Sequence, residues 1–290
     1  LKPTIGIITN IELEHTDCYK DLNDLQDAFI QFAKSIPFYG ELIICIDSPA
    51  AQEIIPKIER PMTTYGRSRD AAYRAGNLRF HENKSTYNVF RTEECLGEIQ
   101  LNVPGEHNIM NSLATVALGI EMGLSFQTIQ KGISKYNGVR RRFEIKGIYD
   151  DIMIVDDYAH HPTEIIATLN AASSWDRRII AVFQPHLFSR TKKFYKEFAE
   201  ALENAHYVII TDIYPAREYP ITGISSKIIY NELYKKIKDR CVLLNDLDEL
   251  VPTLEKFTQP SDMVITMGAG NIWRYSDKYL QHLKSNQIEI

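Results

Sequence analysis

The chain has 290 residues, long enough for two domains of ordinary size that each bury a core of their own. Hydrophobic residues make up 44% and charged residues 24%, the profile of a water-soluble globular protein and not of a disordered or membrane-spanning one. Acidic residues outnumber basic ones by 38 to 33, so the net charge of -5 supplies no general attraction to nucleic acid or anionic lipid, and phosphate binding must be local.

Cys18, Cys45, Cys95 and Cys241 are far apart and form no C-x-x-C pair, which points away from a zinc framework or disulfide scaffold and fits a reducing cytoplasm. No apolar run approaches the roughly 20 residues that span a bilayer, and the N-terminus lacks the layout of a signal peptide. Leu1 stands directly before the strand-like Thr4-Ile5-Gly6-Ile7-Ile8-Thr9, and a start without Met there leads us to expect an upstream part.

In chain order, the strand at residues 4–9 is followed by a helix over 22–36, where Leu25, Ala28, Phe29, Phe32 and Ala33 recur at helical spacing. Residues 42–46 read as a buried strand, and alternation of Tyr87 and Val89, then Ile99, Leu101 and Val103, predicts antiparallel strands within 77–103. Helices are expected over 107–122 and 125–136. The Gly-Val-Arg-Arg-Arg-Phe stretch from Gly138 to Phe143 marks the expected boundary, dividing residues 1–139 from 140–290. Beyond it strands at 152–155, 179–183, 207–210, 242–244 and 263–266 alternate with helices at 163–172, 192–203, 224–237 and 247–257. That rhythm predicts an α/β domain with a mainly parallel sheet covered on both faces, whose ligands bind beyond the carboxyl ends of its strands.

The polar clusters of the second half fall at those ends: Asp156-Asp157-Tyr158-Ala159-His160-His161-Pro162, Gln184-Pro185-His186, Thr211-Asp212 and Gly268-Ala269-Gly270. Pro162 suits a first helical turn, which puts Tyr158 and His160 on a strand-to-helix loop, with helix capping by Asp157 or His161 as the plainer alternative. No H-E-x-x-H pattern supports a metal hydrolase. His186 and Arg190 are spaced to converge on an anion at a helix start, unless Arg190 is merely a surface residue beside a capping Ser189 or Thr191. In the first half, Glu12, Glu14 and His15 follow a strand as a divalent-ion shell or as a solvated turn. Asn108 and Asn111 share one helix face and carry amides able to read a purine edge, with capping by Asn108 as the competing explanation. Arg140, Arg141 and Arg142 are a solvated charge run or a phosphate bridge at the domain junction. Gly268-Ala269-Gly270 alone need only end a strand.

Taken in order, Thr9-Asn10-Ile11-Glu12 through His15, Gly105-Glu106-His107-Asn108 through Asn111, Arg141-Arg142-Phe143-Glu144, Val155 through Pro162, Phe183-Gln184-Pro185-His186 through Thr191, and Thr266-Met267-Gly268-Ala269-Gly270 resemble the Mur ligase family. Within it they are similar to the branch that joins L-alanine to UDP-N-acetylmuramate. The resemblance implies the later part of a central ATPase domain over residues 1–139 and a dinucleotide-fold, Rossmann-like, amino-acid-binding domain over 140–290. It implies ATP and Mg²⁺ as cofactors, and a cytoplasmic enzyme of cell-wall precursor synthesis whose partners are small molecules. By the family pattern His15 binds magnesium, His107, Asn108 and Asn111 surround adenine, and Arg142 and Asp157 contact ATP across the domain junction. Tyr158 and His160 line the alanine pocket, His186 and Arg190 hold the muramyl substrate, and Arg142, Asp157 and His160 are the expected catalytic set.

Two departures stand out. The phosphate-binding loop G-x-x-x-x-G-K-[ST] occurs nowhere in the 290 residues, so these residues alone are expected to lack appreciable ligase activity. Leu187 stands where alanine-adding enzymes often carry a further arginine, which bears on how firmly the muramyl substrate is held. Rival readings are a related ligase that reattaches recycled peptide, and a non-catalytic nucleotide- or UDP-sugar-binding module. A dinucleotide oxidoreductase is disfavoured because G-x-G-x-x-G is missing.

Overall fold

A computed structural model describes residues 3–13 and 18–285 and divides into two compact units, Leu1–Asn137 and Gly138–Ile290. The first unit is built on a six-stranded sheet of β1 (Ile5–Ile8), β2 (Glu41–Cys45), β3 (Met62–Gly66), β4 (Tyr73–His81), β5 (Lys84–Arg91) and β6 (Glu94–Leu101), which lie side by side in chain order. The pairs from β1 to β4 are parallel and the last two are antiparallel. Strand periodicity sends alternate residues to opposite faces. Leu42 and Ile44 therefore join a core with α1 (Leu22–Lys34) and α2 (Pro49–Ile54). Ile43 and Cys45 join the other, with α3 (Glu106–Glu121) and α4 (Phe126–Ile133).

The second unit has the strand order β11 (Cys241–Leu244), β10 (Tyr207–Thr211), β9 (Arg178–Phe183), β12 (Asp262–Met267), β8 (Ile152–Asp157), β7 (Glu144–Tyr149). Only the β7–β8 pair is antiparallel. Strands β8 and β12 are buried along their whole length, as expected of parallel strands covered on both faces. On one face lie α5 (Pro162–Ala172), α6 (Phe188–Leu202) and α7 (Lys227–Ile237), and on the other α8 (Leu250–Phe257) and α9 (Trp273–Ser285). The chain passes from β8 to β9, runs outward to β11, and returns to place β12 between β8 and β9. This reversal leaves a crevice at the carboxyl ends of three adjacent strands, where α/β sheets receive ligands. The α/β class and the mainly parallel second sheet are as the sequence pattern predicts. No helix among the described residues is long and apolar enough to cross a membrane.

Candidate active site

Strand β8 delivers Asp156 and Asp157 to the carboxyl edge of the second sheet, 1% and 5% exposed. Asp156 accepts a hydrogen bond from the Thr266 hydroxyl at 2.7 Å and one from Arg141 Nε at 3.1 Å. Asp157 accepts from two backbone amides, Phe143 at 2.9 Å and Ala159 at 2.8 Å. Burial raises both carboxyl pKa values, against the opposing pull of these donors. Asp157 thus pins the loop at Phe143 to the end of β8 and does not cap α5. The start of α5 is held by Glu164, whose Oε2 accepts from the amides of His160 at 2.9 Å and His161 at 3.2 Å.

Of the three arginines at 140–142, Arg141 and Arg142 part company here. Arg141 is drawn inward: besides Asp156, its Nη2 donates to the Gly268 carbonyl at 2.6 Å, and the guanidinium lies 4.8 Å from the Tyr158 ring centre. Its φ of +59° is sustained by an amide bond to Glu144 Oε2 at 2.8 Å and by its carbonyl, which accepts from Tyr158 N at 2.7 Å. Arg142 stays outward, its side chain 52% exposed, with Nη1 donating to Glu164 Oε1 at 3.2 Å. Arg142 therefore stays accessible, while Arg141 is built into the packed end of the sheet.

His160 and His186 come together at this edge, ring centres 5.9 Å apart, with Tyr158 set edge-on to His160 at 5.0 Å. His160 Nδ1 lies 2.8 Å from the Tyr158 carbonyl and 3.2 Å from Glu164 Oε2. His186 follows β9 and Arg190 sits in the first turn of α6, which begins four residues before the expected 192. Arg190 Nη1 is 3.4 Å from His186 Nδ1, and burial first, then the Arg190 charge, lowers the His186 pKa to about 4. The α6 start is not capped by its own Ser189 or Thr191: Glu218 accepts from the Ser189 amide at 2.9 Å and from its hydroxyl. Leu187, at φ +70°, donates its amide to the Tyr214 carbonyl at 3.0 Å.

The glycines of Gly268-Ala269-Gly270 serve close packing. A Cβ at Gly268, whose φ is +151°, would come within 2.7 Å of the Gln184 carbonyl. One at Gly270 would meet Gln184 Oε1 and, at 2.6 Å, Tyr214 Cγ. Glu164, Tyr214 and Glu218 were not singled out from the sequence, and Thr266 entered only as the first residue of the glycine-containing motif. A capping box signature was hidden at Glu164 because histidine, not serine or threonine, stands three residues before it.

In the first unit, α3 and α4 enclose a largely apolar cleft of about 560 Å³ lined by Asn108, Asn111, Ser112, Thr115, Ile129 and Tyr136, among others. Asn108 does not cap α3; its Nδ2 donates to the Pro104 carbonyl at 2.7 Å. His107 is exposed and lies outside the cleft lining. His15 falls outside the described residues.

Residues 1–119 match the family model of the Mur ligase middle domain, and residues 141–270 that of the Mur ligase glutamate ligase domain. A UDP-N-acetylmuramate–L-alanine ligase of Geotalea uraniireducens (strain Rf4) is 42% identical over 287 residues, covering 99% of this chain and 63% of the relative. The chain thus spans less than two thirds of that relative's length. The crystal structure of UDP-N-acetylmuramate-alanine ligase from Thermotoga maritima matches with a TM-score of 0.80 at 24% identity, over 98% of this chain and 60% of the other. MurF ligase from Thermotoga maritima, in complex with ADP, matches with a TM-score of 0.78 at 15% identity, over 98% and 63%. At such identities the structural likeness establishes the fold.

Proposed function

The chain belongs to the Mur ligase family, and from that premise we propose that it is part of a cytoplasmic enzyme that uses ATP to join L-alanine to UDP-N-acetylmuramate in peptidoglycan precursor synthesis. The observation that carries this reading is the carboxyl edge of the second sheet, where Arg142, Tyr158, His160, His186 and Arg190 surround one crevice in a chain 42% identical to an alanine-adding ligase. A carboxylate resists attack by an amine until it carries a leaving group. In this proposal ATP phosphorylates the lactyl carboxylate, and alanine's amine then attacks the acyl carbon and expels phosphate. Negative charge gathers in both steps, and guanidinium groups stabilise it. Residues 1–139 form the later part of the ATP-binding domain and residues 140–290 the amino-acid-binding domain.

Arg142 contacts ATP, Tyr158 and His160 receive alanine, and His186 and Arg190 hold the muramyl substrate. Asp157, with both oxygens engaged by backbone amides, acts as a positioning residue for the loop that carries Arg142. Asn108 and Asn111 meet adenine in the α3–α4 cleft, whose volume and apolar lining suit a flat purine and whose amides supply both donors and acceptors. His107 belongs at the rim of that subsite. His15 would hold Mg²⁺ by the family pattern, and the ion would supply neutralising charge to the nucleotide phosphates. The 290 residues contain no phosphate-binding loop, so turnover requires a polypeptide that has one. The test is product analysis by mass spectrometry in such a longer polypeptide, offering L-alanine against a free tripeptide. The proposal expects only the alanine adduct. An adduct with the tripeptide in preference to alanine transfers the chain to the recycling branch.

A further inference from the structure

Tyr214 lies in the segment after β10, outside every motif that carries the family resemblance, yet it touches more of the crevice than any of them explains. Its ring stacks on His186 with an interplanar angle of 11° and a centroid separation of 5.8 Å, an offset stack. The two residues also form a parallel bridge between their backbones. The Tyr214 amide donates to the Pro185 carbonyl at 2.8 Å, and its carbonyl accepts from Leu187 N at 3.0 Å, so the backbone clamps both neighbours of His186. Gly270 packs against the base of the Tyr214 side chain, where an added carbon would come within 2.6 Å of Cγ and 2.8 Å of Cβ.

The other edge of the His186 ring is constrained by charge. An arginine nitrogen has only hydrogens to offer, so Arg190 Nη1 at 3.4 Å from Nδ1 favours the tautomer in which Nδ1 carries the lone pair and Nε2 the proton. Arg190, Arg217 and His160 all oppose a positive charge on this ring, and Glu218 alone favours one.

We propose that Tyr214 is a positioning residue that fixes the plane of His186 so that its neutral ring presents Nε2–H as a hydrogen-bond donor to the bound substrate. This rests on the reading of His186 as a muramyl-substrate contact, but the ring geometry can be tested without that substrate. Holding the ring neutral leaves Arg190 as the cationic partner of a substrate anion, while His186 contributes direction.

The first arm is ¹⁵N–¹H correlation of the His186 ring in the 290-residue chain across pH 4 to 8. The expected parent spectrum shows one tautomer, Nε2 protonated and Nδ1 bare, with titration near 4. Tyr214→Phe keeps that pattern. Tyr214→Ala averages the two tautomers and moves the titration up toward ordinary imidazole. Gly270→Ala, whose added methyl displaces the base of the Tyr214 side chain while leaving both ring residues in the sequence, shifts the spectrum toward that of Tyr214→Ala. Unchanged tautomer and titration in a folded Tyr214→Ala chain overturn the proposal and leave Arg190 as the sole determinant. The second arm is the KM for UDP-N-acetylmuramate in a polypeptide with the phosphate-binding loop, expected to rise roughly three- to tenfold in Tyr214→Ala, the scale of one aromatic pair, with KM for ATP unmoved. If the spectra change as expected while that KM stays constant, the positioning role stands and the substrate role of His186 falls.

Discussion

The carboxyl edge of the second sheet and the α3–α4 cleft of the first unit both carry residues expected to meet ligand, yet they are built on different physics. At the edge, charges are tied to one another and to backbone: the buried Asp156 to Arg141 and Thr266, the buried Asp157 to two amides, and the half-buried Glu164 to two more and to Arg142. The cleft is a shape between two helices, mostly apolar, with Asn108 and Asn111 at its margin. Substitution of the buried groups at the edge should therefore damage the fold along with function, whereas substitution at the cleft should touch binding and leave the fold alone.

The largest expected effect separates the adjacent arginines. Arg141→Ala strands the Asp156 carboxylate, and its loss should cost the second unit about 3–5 kcal/mol, the usual penalty for breaking a buried pair from one side. Arg142→Ala, removing a half-exposed partner of Glu164, should cost less than about 1 kcal/mol. Urea unfolding followed by tryptophan fluorescence reads this directly, because Trp175 and Trp273 both lie in the second unit. Equal costs would erase the distinction between them.

Protonation provides the next test. The His186 pKa is lowered from 6.5 to about 4, so the unfolded chain takes up that proton first. Its contribution is fully present above pH 6.5 and is lost as pH falls toward 4, at most about 3 kcal/mol. The raised carboxyls of Asp156 and Asp157 act with the opposite sign, stabilising the fold as they take up protons on acidification, and temper the fall. Urea midpoints measured across that window should flatten in His186→Asn. Asp157→Asn should cost about 1–3 kcal/mol at neutral pH, since one of the two backbone amides faces a donor in place of an acceptor. Smallest in stability is Asn111→Ala in the cleft, within about 0.5 kcal/mol by thermal unfolding. In a polypeptide with the phosphate-binding loop, calorimetry should nonetheless show ATP binding roughly five- to tenfold weaker, the loss of one hydrogen bond.

The same contrast governs what could be read from sequence. Strands β8, β9 and β12 were legible because parallel strands buried on both faces are continuous apolar runs. Strand β3, with Thr63 and Thr64 half-buried, offers no such run, and α2 is a single six-residue stretch too short to show a helical period. Helix α9 went unassigned because it buries only Ser276 and Tyr279 under a mixed aromatic and charged surface. At the site, the clusters at strand ends were visible as residues. What each carboxylate does was not, because Thr266, Arg141 and Phe143 reach Asp156 and Asp157 only through folding, and the local bond from Ala159 N to Asp157 has no distinctive sequence signal. Tyr214 had no periodicity or motif around it, and only its stack on His186 distinguishes it from other loop tyrosines.

The most direct test of the account is L-alanine-dependent phosphate release from ATP with Mg²⁺ and UDP-N-acetylmuramate, comparing these 290 residues with a longer polypeptide that places a phosphate-binding loop ahead of them. The account predicts release by the longer polypeptide alone, and its abolition when alanine is omitted. Robust release by the 290 residues, or silence in a longer polypeptide shown to be folded, would contradict it.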